Sequence, residues 1–358
     1  MKISFPHMGD YYIPAKFLLK HIFKNAEIMI APKITNKTVT LGSKYSPEFV
    51  CTPFKYTLGT MIEALENKAD ILIQMGGGCR YGYYSELQNK ILKDLNYNFK
   101  LINLVTEGKT NIIKINKLLK QINPKYSKIK AIYYTFITIK MIKYMDNIDD
   151  YIRQNIGFEL EKGSFENLKK RMLISFSKIK NYNQLKKTYK YYLKKFKNIK
   201  IHKPDNCLKI GIIGELYTIM EPFSNYYLEK NLADHNIEIK RFTNVYYLIR
   251  QKKKEYKKLL KYSKGYFNYS MGADASDNIA RCKYLCENNY DGIIHIKSSF
   301  CTPEIGAMPI INKIANEYKK PVLFFSFDLN TSETGIQTRL EAFYDMLEMR
   351  KNKWKTFT

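Results

Sequence analysis

The 358 residues are enough for two or three domains, and 45% hydrophobic with 26% charged residues excludes a disordered chain. Sixty Lys and Arg against 33 Asp and Glu leave a net charge of +27, yet only eight of the sixty are Arg, the side chain suited to bidentate phosphate and base contacts. A nucleic-acid partner is therefore disfavoured, and the Lys-, Ile-, Asn- and Tyr-rich composition reads first as the product of an AT-biased genome.

The chain opens on a strand pattern at 2–5, without the charged, apolar and cleavage regions of a signal peptide. The longest strongly apolar run, 131–142, is interrupted by Lys140 and falls short of the roughly twenty residues that span a bilayer. A cytoplasmic protein with no membrane partner is expected. In that setting six Cys point to metal, redox chemistry or packing before disulfides.

Strands are predicted at 2–5, 27–30, 71–74 and 100–104, with helices over 12–24, 53–67, 83–96 and 110–122. Such alternation implies a parallel sheet covered on both faces. From about 125 to 200 the strand signal fades. Apolar residues from Phe165 to Phe196 recur every three or four positions, the stripe of one long helix or two joined ones. Alternation resumes with strands at 208–213, 237–241, 292–296 and 322–325, and helices over 225–234, 277–287, 304–317 and 337–349. The expected architecture is α/β, two Rossmann-like parallel-sheet domains over 1–122 and 205–358 flanking a Lys-rich helical insertion over 123–204. Windows 151–200 and 240–264 concentrate the positive charge. They read either as solvated lysine faces or as a docking surface for an acidic partner.

Cys51-Thr-Pro and Cys301-Thr-Pro each precede a helix pattern, with the Pro suited to the first helical position. Each Cys then sits beside unpaired backbone N–H groups, which stabilise a thiolate. Cys79 follows a strand and the Gly76-Gly77-Gly78 run, at the sheet edge where ligands bind in open α/β folds. Three thiols in matching contexts, without a His-rich set, favour an iron–sulfur cluster over structural zinc. The glycines permit close backbone approach, and their N–H groups suit cluster sulfides. Cys207, Cys282 and Cys286 read as packing.

The segments Ser46-Pro-Glu-Phe-Val-Cys51-Thr-Pro-Phe-Lys-Tyr-Thr-Leu-Gly59, Gln74-Met-Gly-Gly-Gly-Cys79-Arg-Tyr-Gly-Tyr-Tyr84 and Ile294-His-Ile-Lys-Ser-Ser-Phe-Cys301-Thr-Pro-Glu-Ile resemble three cluster motifs of the 2-hydroxyacyl-CoA dehydratase superfamily, in its activase-related branch. Gly211-Ile-Ile-Gly-Glu215 and the block from Thr334 to Phe343 are similar to two more. The resemblance implies a [4Fe-4S] cluster held by Cys51, Cys79 and Cys301 in a cleft between the two domains. It implies electrons from a separate ATP-dependent iron–sulfur activase, spent on radical dehydration of an acyl-CoA or on reduction of a small substrate. A non-catalytic electron-transfer component and a double-cubane reductase stand as alternatives, and a dimer is one oligomeric option.

No G-x-x-x-x-G-K-[ST] phosphate loop occurs, so the chain is not expected to hydrolyse ATP. His295, on the strand leading to Cys301, is a candidate hydrogen-bond donor near the cluster or a satisfied core residue. Glu304 is a candidate acid/base group or a partner for its helix N-terminus. Lys55 and Arg80 are candidate cations beside a cluster anion. Asp328 is expected to cap the turn after its strand.

Overall fold

The computed structural model describes residues 1–77, 79–104, 116, 117, 119, 120 and 122–355, with backbone alone for 353–355. These divide into two compact units, Met1–Ile142 with Phe176–Leu185, and Lys143–Ser175 with Lys186–Thr358.

The first unit carries a four-stranded parallel sheet of β1 (Lys2–Ser4), β2 (Glu27–Ile28), β3 (Ile71–Gln74) and β4 (Lys100–Asn103), in the order β2-β1-β3-β4. Ile3 pairs with Ile28 on one side and Ile71 on the other, and all four residues of β3 are buried. Central strands of a parallel sheet are covered on both faces, which is why they read as short apolar runs. Ile3, Phe23, Ile71, Ile73 and Ile102 meet in one core. The helix predicted over 110–122 lies mostly outside the described residues.

The second unit repeats the same order, β6-β5-β7-β8, with β5 (Lys209–Gly214), β6 (Glu238–Arg241), β7 (Gly292–Ser298) and β8 (Val322–Phe327), all parallel. Its core joins Ile213 and Ile293 to Ile279 and Cys282 of the helix Ala275–Glu287, and to Ala307, Ile311 and Ile314 of the helix Thr302–Glu317. Two α/β sheets of parallel strands are thus present, as the alternation predicts.

The expected apolar stripe resolves into two helices, Ser164–Ser177 and Tyr182–Lys197, which bury Phe165, Met172, Phe176, Leu185 and Phe196 completely. The run 131–142 lies within the 28-residue helix Lys128–Asn155. Residues of all three helices divide between the two units. No described helix is long and apolar enough to cross a membrane.

The basic window 240–264 is not simply a solvated face. Arg241 and Arg153 converge on Glu229 at 2.6 and 3.0 Å, and Lys240 pairs with Asp150 at 3.3 Å. Burial alone would raise the Glu229 carboxyl, but the two guanidiniums outweigh it and hold the group below its usual range. Lys252 binds Asp274 at 2.6 Å and Asp277 at 3.1 Å, both buried. Three residues of the window therefore tie elements together, whereas Lys253 and Lys254 are exposed.

Candidate functional site

In the first unit, Cys51 is the N-cap of the helix Thr52–Glu66, with Pro53 in its first turn. Thr52, rather than Pro53, takes the first helical position. Pro53 follows at the second, where its missing N–H is equally harmless because the first turn has no internal acceptors. Every residue from Thr52 to Leu65 is buried, so this helix has no water-facing side.

Two glycines fix its position. A Cβ on Gly59 would stand 2.0 Å from the carbonyl oxygen of Thr38, and one on Gly42 would stand 1.9 Å from that of Lys55. The helix Asn36–Tyr45 therefore packs backbone against backbone on the Cys51 helix. Thr38 Oγ1 donates to Glu63 at 2.6 Å, and Gln88 Nε2 donates to Thr57 Oγ1 at 2.7 Å and to the carbonyl of Phe54. Cys51 thus stands at the end of a helix that cannot slide.

Cys79 caps the short 3-10 helix Arg80–Tyr83, and its sulfur accepts the Tyr81 N–H at 3.5 Å. Tyr84, at the start of the helix Tyr84–Asp94, contacts the Cys51 sulfur through its hydroxyl. Burial, then the negative charge of Cys51 and of Cys79, push the Tyr84 phenol far above its usual range. It therefore remains a protonated donor facing both thiols. Of the candidate cations, Arg80 is exposed and exerts an opposing influence on Tyr84, while Lys55 is buried. A Cβ on Gly76 would stand 3.0 Å from Gly82 Cα, a tight backbone approach; Gly77 faces Tyr81. Gly78 lies outside the described residues.

In the second unit, Cys301 is the N-cap of the helix Thr302–Glu317 and follows the carboxyl end of β7. Strand order makes β5 and β7 neighbours, as it does β1 and β3, and the chain reverses direction of progress across the sheet between them. Cys79 and Cys301 thus occupy equivalent stations, each after the third strand of its sheet, at the crevice where open α/β sheets bind ligands. The two Cys-Thr-Pro tripeptides do not correspond: Cys51 precedes its third strand and Cys301 follows its own.

His295 and Glu304 come together. His295 Nε2 lies 2.8 Å from Glu304 Oε2, and Asn278 Nδ2 donates to Glu304 Oε1 at 2.9 Å and to the carbonyl of Gly214 at 3.0 Å. His295 is fully buried and Glu304 is 1% exposed, so the pair holds the first turn of the Cys301 helix against β7 and the end of β5. Asp328 does more than cap a turn. It accepts from Thr331 and Asn330 and also from Ser299 at 3.1 Å, linking the ends of β8 and β7.

Three further groups were not singled out as candidates, although Lys297 and Glu215 lie within segments already quoted. Lys297 is buried on β7; burial lowers its pKa, opposed by the charges of Cys301 and Glu304, which places its ammonium near both. Glu215, at the end of β5, caps the helix Leu216–Met220 through Tyr217 N, Thr218 N and Thr218 Oγ1, and burial pushes its carboxyl up to about 7. His7, in the loop after β1, is buried, and burial lowers its pKa. The signal available for all three was their place at the carboxyl ends of strands. Cys282 and Cys286 sit in the core, and burial raises the Cys207 thiol, as suits packing residues.

Among the described residues, no three His, Cys, Asp or Glu side chains are grouped closely enough to hold one metal ion. The donor chemistry nevertheless fits an anionic cluster. In the first unit the Cys51 thiol contacts the Tyr84 hydroxyl, which also feels the charge of Cys79, and the Cys79 sulfur accepts a backbone N–H. In the second, a cysteine occupies the N-cap position of a helix, with a buried lysine near its thiol.

Residues 232–347 match the family model of 2-hydroxyglutaryl-CoA dehydratase, D-component. The matched stretch contains Asn278, His295, Cys301 and Glu304, and it supports the resemblance of the chain to the 2-hydroxyacyl-CoA dehydratase superfamily and to its dehydratase subunits. Among curated proteins none matches the chain.

Proposed function

We propose that the chain is a [4Fe-4S] component of a dehydratase-like system, with Cys51, Cys79 and Cys301 as the cluster ligands. The observation that carries the reading is the family match over 232–347, joined to the N-cap position of Cys301 within it. A cluster bound by these thiols would supply one electron at low potential. The chain's own residues prepare for the charge. Tyr84 O–H and Tyr81 N–H donate to the Cys51 and Cys79 sulfurs, and the Lys297 ammonium stands near Cys301. His295 and Asn278 fix Glu304, and with it the first turn of the helix that Cys301 precedes. Lacking a phosphate loop, the chain takes its reducing power from a separate ATP-dependent activase and spends it on an acyl-CoA or another small substrate.

Anaerobic reconstitution followed by iron and sulfide analysis tests the assignment. Cys51→Ser, Cys79→Ser and Cys301→Ser should each lose most bound iron, while Cys207→Ser should keep it. Full retention in all three ligand variants would falsify the proposal.

A further inference from the structure

A cavity of about 830 Å³ opens in the second unit, between the helix Ser164–Ser177, the helix Tyr182–Lys197 and the segment after it. Asn167 and Arg171, four residues apart, come from one face of the first helix. Tyr191, Lys194 and Lys195, at positions i, i+3 and i+4, come from one face of the second. Lys200 adds a fourth cation, against the single acid Glu161. Among the described residues no carboxylate is in an ion pair with Arg171, Lys194, Lys195 or Lys200. The same walls expose two large apolar side chains, Leu160 at 64% and Tyr191 at 56%. Lys195 Nζ stands over the Tyr191 ring at 5.5 Å.

We propose that this cavity binds a nucleotide, an aromatic base carrying a di- or triphosphate. Four cations within one cavity, none held by a described carboxylate, suit a multiply charged anion, and Arg171 is suited to a bidentate grip on phosphate. An exposed tyrosine beside an exposed leucine offers a base a stacking surface that inorganic phosphate would leave unused. The volume lies in the range of small-molecule sites, which favours one nucleotide over a protein partner. The cavity lies outside residues 232–347 and contains none of the candidate cluster cysteines, so the inference is independent of the function proposed above.

Calorimetric titration of the full chain with ADP, pyrophosphate, adenosine and a thymidine dodecamer, at low and high salt, tests it. ADP should bind one to one, roughly tenfold tighter than pyrophosphate or adenosine. Arg171→Glu and Lys194→Glu should each weaken ADP by about tenfold, and Tyr191→Ala should weaken ADP while leaving pyrophosphate unchanged. These side chains are exposed, so circular dichroism and iron content should match the unaltered chain. Absence of saturable ADP binding, equal affinity for pyrophosphate, or indifference to the three substitutions overturns the proposal. Tighter binding of the dodecamer than of ADP, lost at high salt, would assign the groove to a nucleic-acid strand instead and equally overturn it.

Discussion

Replacing Glu215 by Gln separates the cost of a buried carboxylate from the benefit of a helix cap. Glu215 is 8% exposed, with Asp274 as a further negative influence, and its carboxyl holds a proton up to about pH 7 in the native chain, against an ordinary 4.5. Between those values the native state binds more protons than the unfolded state, so unfolding becomes easier as pH rises. From pH 5 to pH 8 this one group should remove about 2.5 kcal/mol of stability, at roughly 1.4 kcal/mol for each unit of separation. The amide introduced by Glu215→Gln carries no charge at any pH and keeps one side-chain oxygen for the N–H groups of Tyr217 and Thr218. Any cap strength it loses is a constant offset. Urea unfolding of both proteins at pH 5, 6, 7 and 8 should show the stability difference moving toward the Gln variant by about 2.5 kcal/mol across the series. Parallel profiles would refute the reasoning, whatever their vertical separation.

Gly42→Ala places a methyl group against the Lys55 carbonyl and must push two helices apart, costing about 2–3 kcal/mol in chemical unfolding; a change below about 0.5 kcal/mol would mean the helices are free to part. Lys252→Ala should destabilise by about 3 kcal/mol because it strands Asp274 and Asp277, whereas Lys253→Ala should stay within about 0.5 kcal/mol. Equal effects from the two would show that Lys252 is a surface residue. Tyr84→Phe should leave reconstituted iron unchanged but lower the midpoint potential, since a sulfur without its hydrogen-bond donor holds more electron density; an unchanged potential in redox titration would remove Tyr84 from the cluster environment.

The parallel-sheet class was legible because buried strands such as Ile71–Gln74 and Gly292–Ser298 contain short apolar runs, Ile71–Ile73 and Ile293–Ile294, and local composition carries that. The N-cap position of Cys51 and Cys301 was legible for a similarly local reason, the Pro two residues on. The helix Asn36–Tyr45 was not. Its sequence Asn-Lys-Thr-Val-Thr-Leu-Gly is rich in β-branched residues and has a central glycine, poor credentials for a helix. What sustains it is a reciprocal Thr35–Thr38 capping box and the backbone contact that Gly42 permits. The His295–Glu304 pair was equally hidden, because only the turn from β7 into the next helix brings residues nine apart to 2.8 Å. Three consecutive lysines gave no sign that the first is an internal counter-ion while its neighbours face water. The two Cys-Thr-Pro tripeptides, alike in sequence, sit on different connections within two sheets of the same strand order, which only the strand topology reveals.

A helix without a water-facing side has a consequence for hydrogen exchange. The amides of the helix Thr52–Glu66 have no local opening that exposes them, since every flank is covered, and they should exchange only when the first unit unfolds. The helix Lys252–Tyr262, which buries no residue fully, should exchange by fraying at a far faster rate. Cys51 therefore precedes an element expected to exchange slowly, while Cys79 begins a half-exposed 3-10 turn. Deuterium uptake would read these two candidate ligands as the fixed and the yielding jaw of one grip.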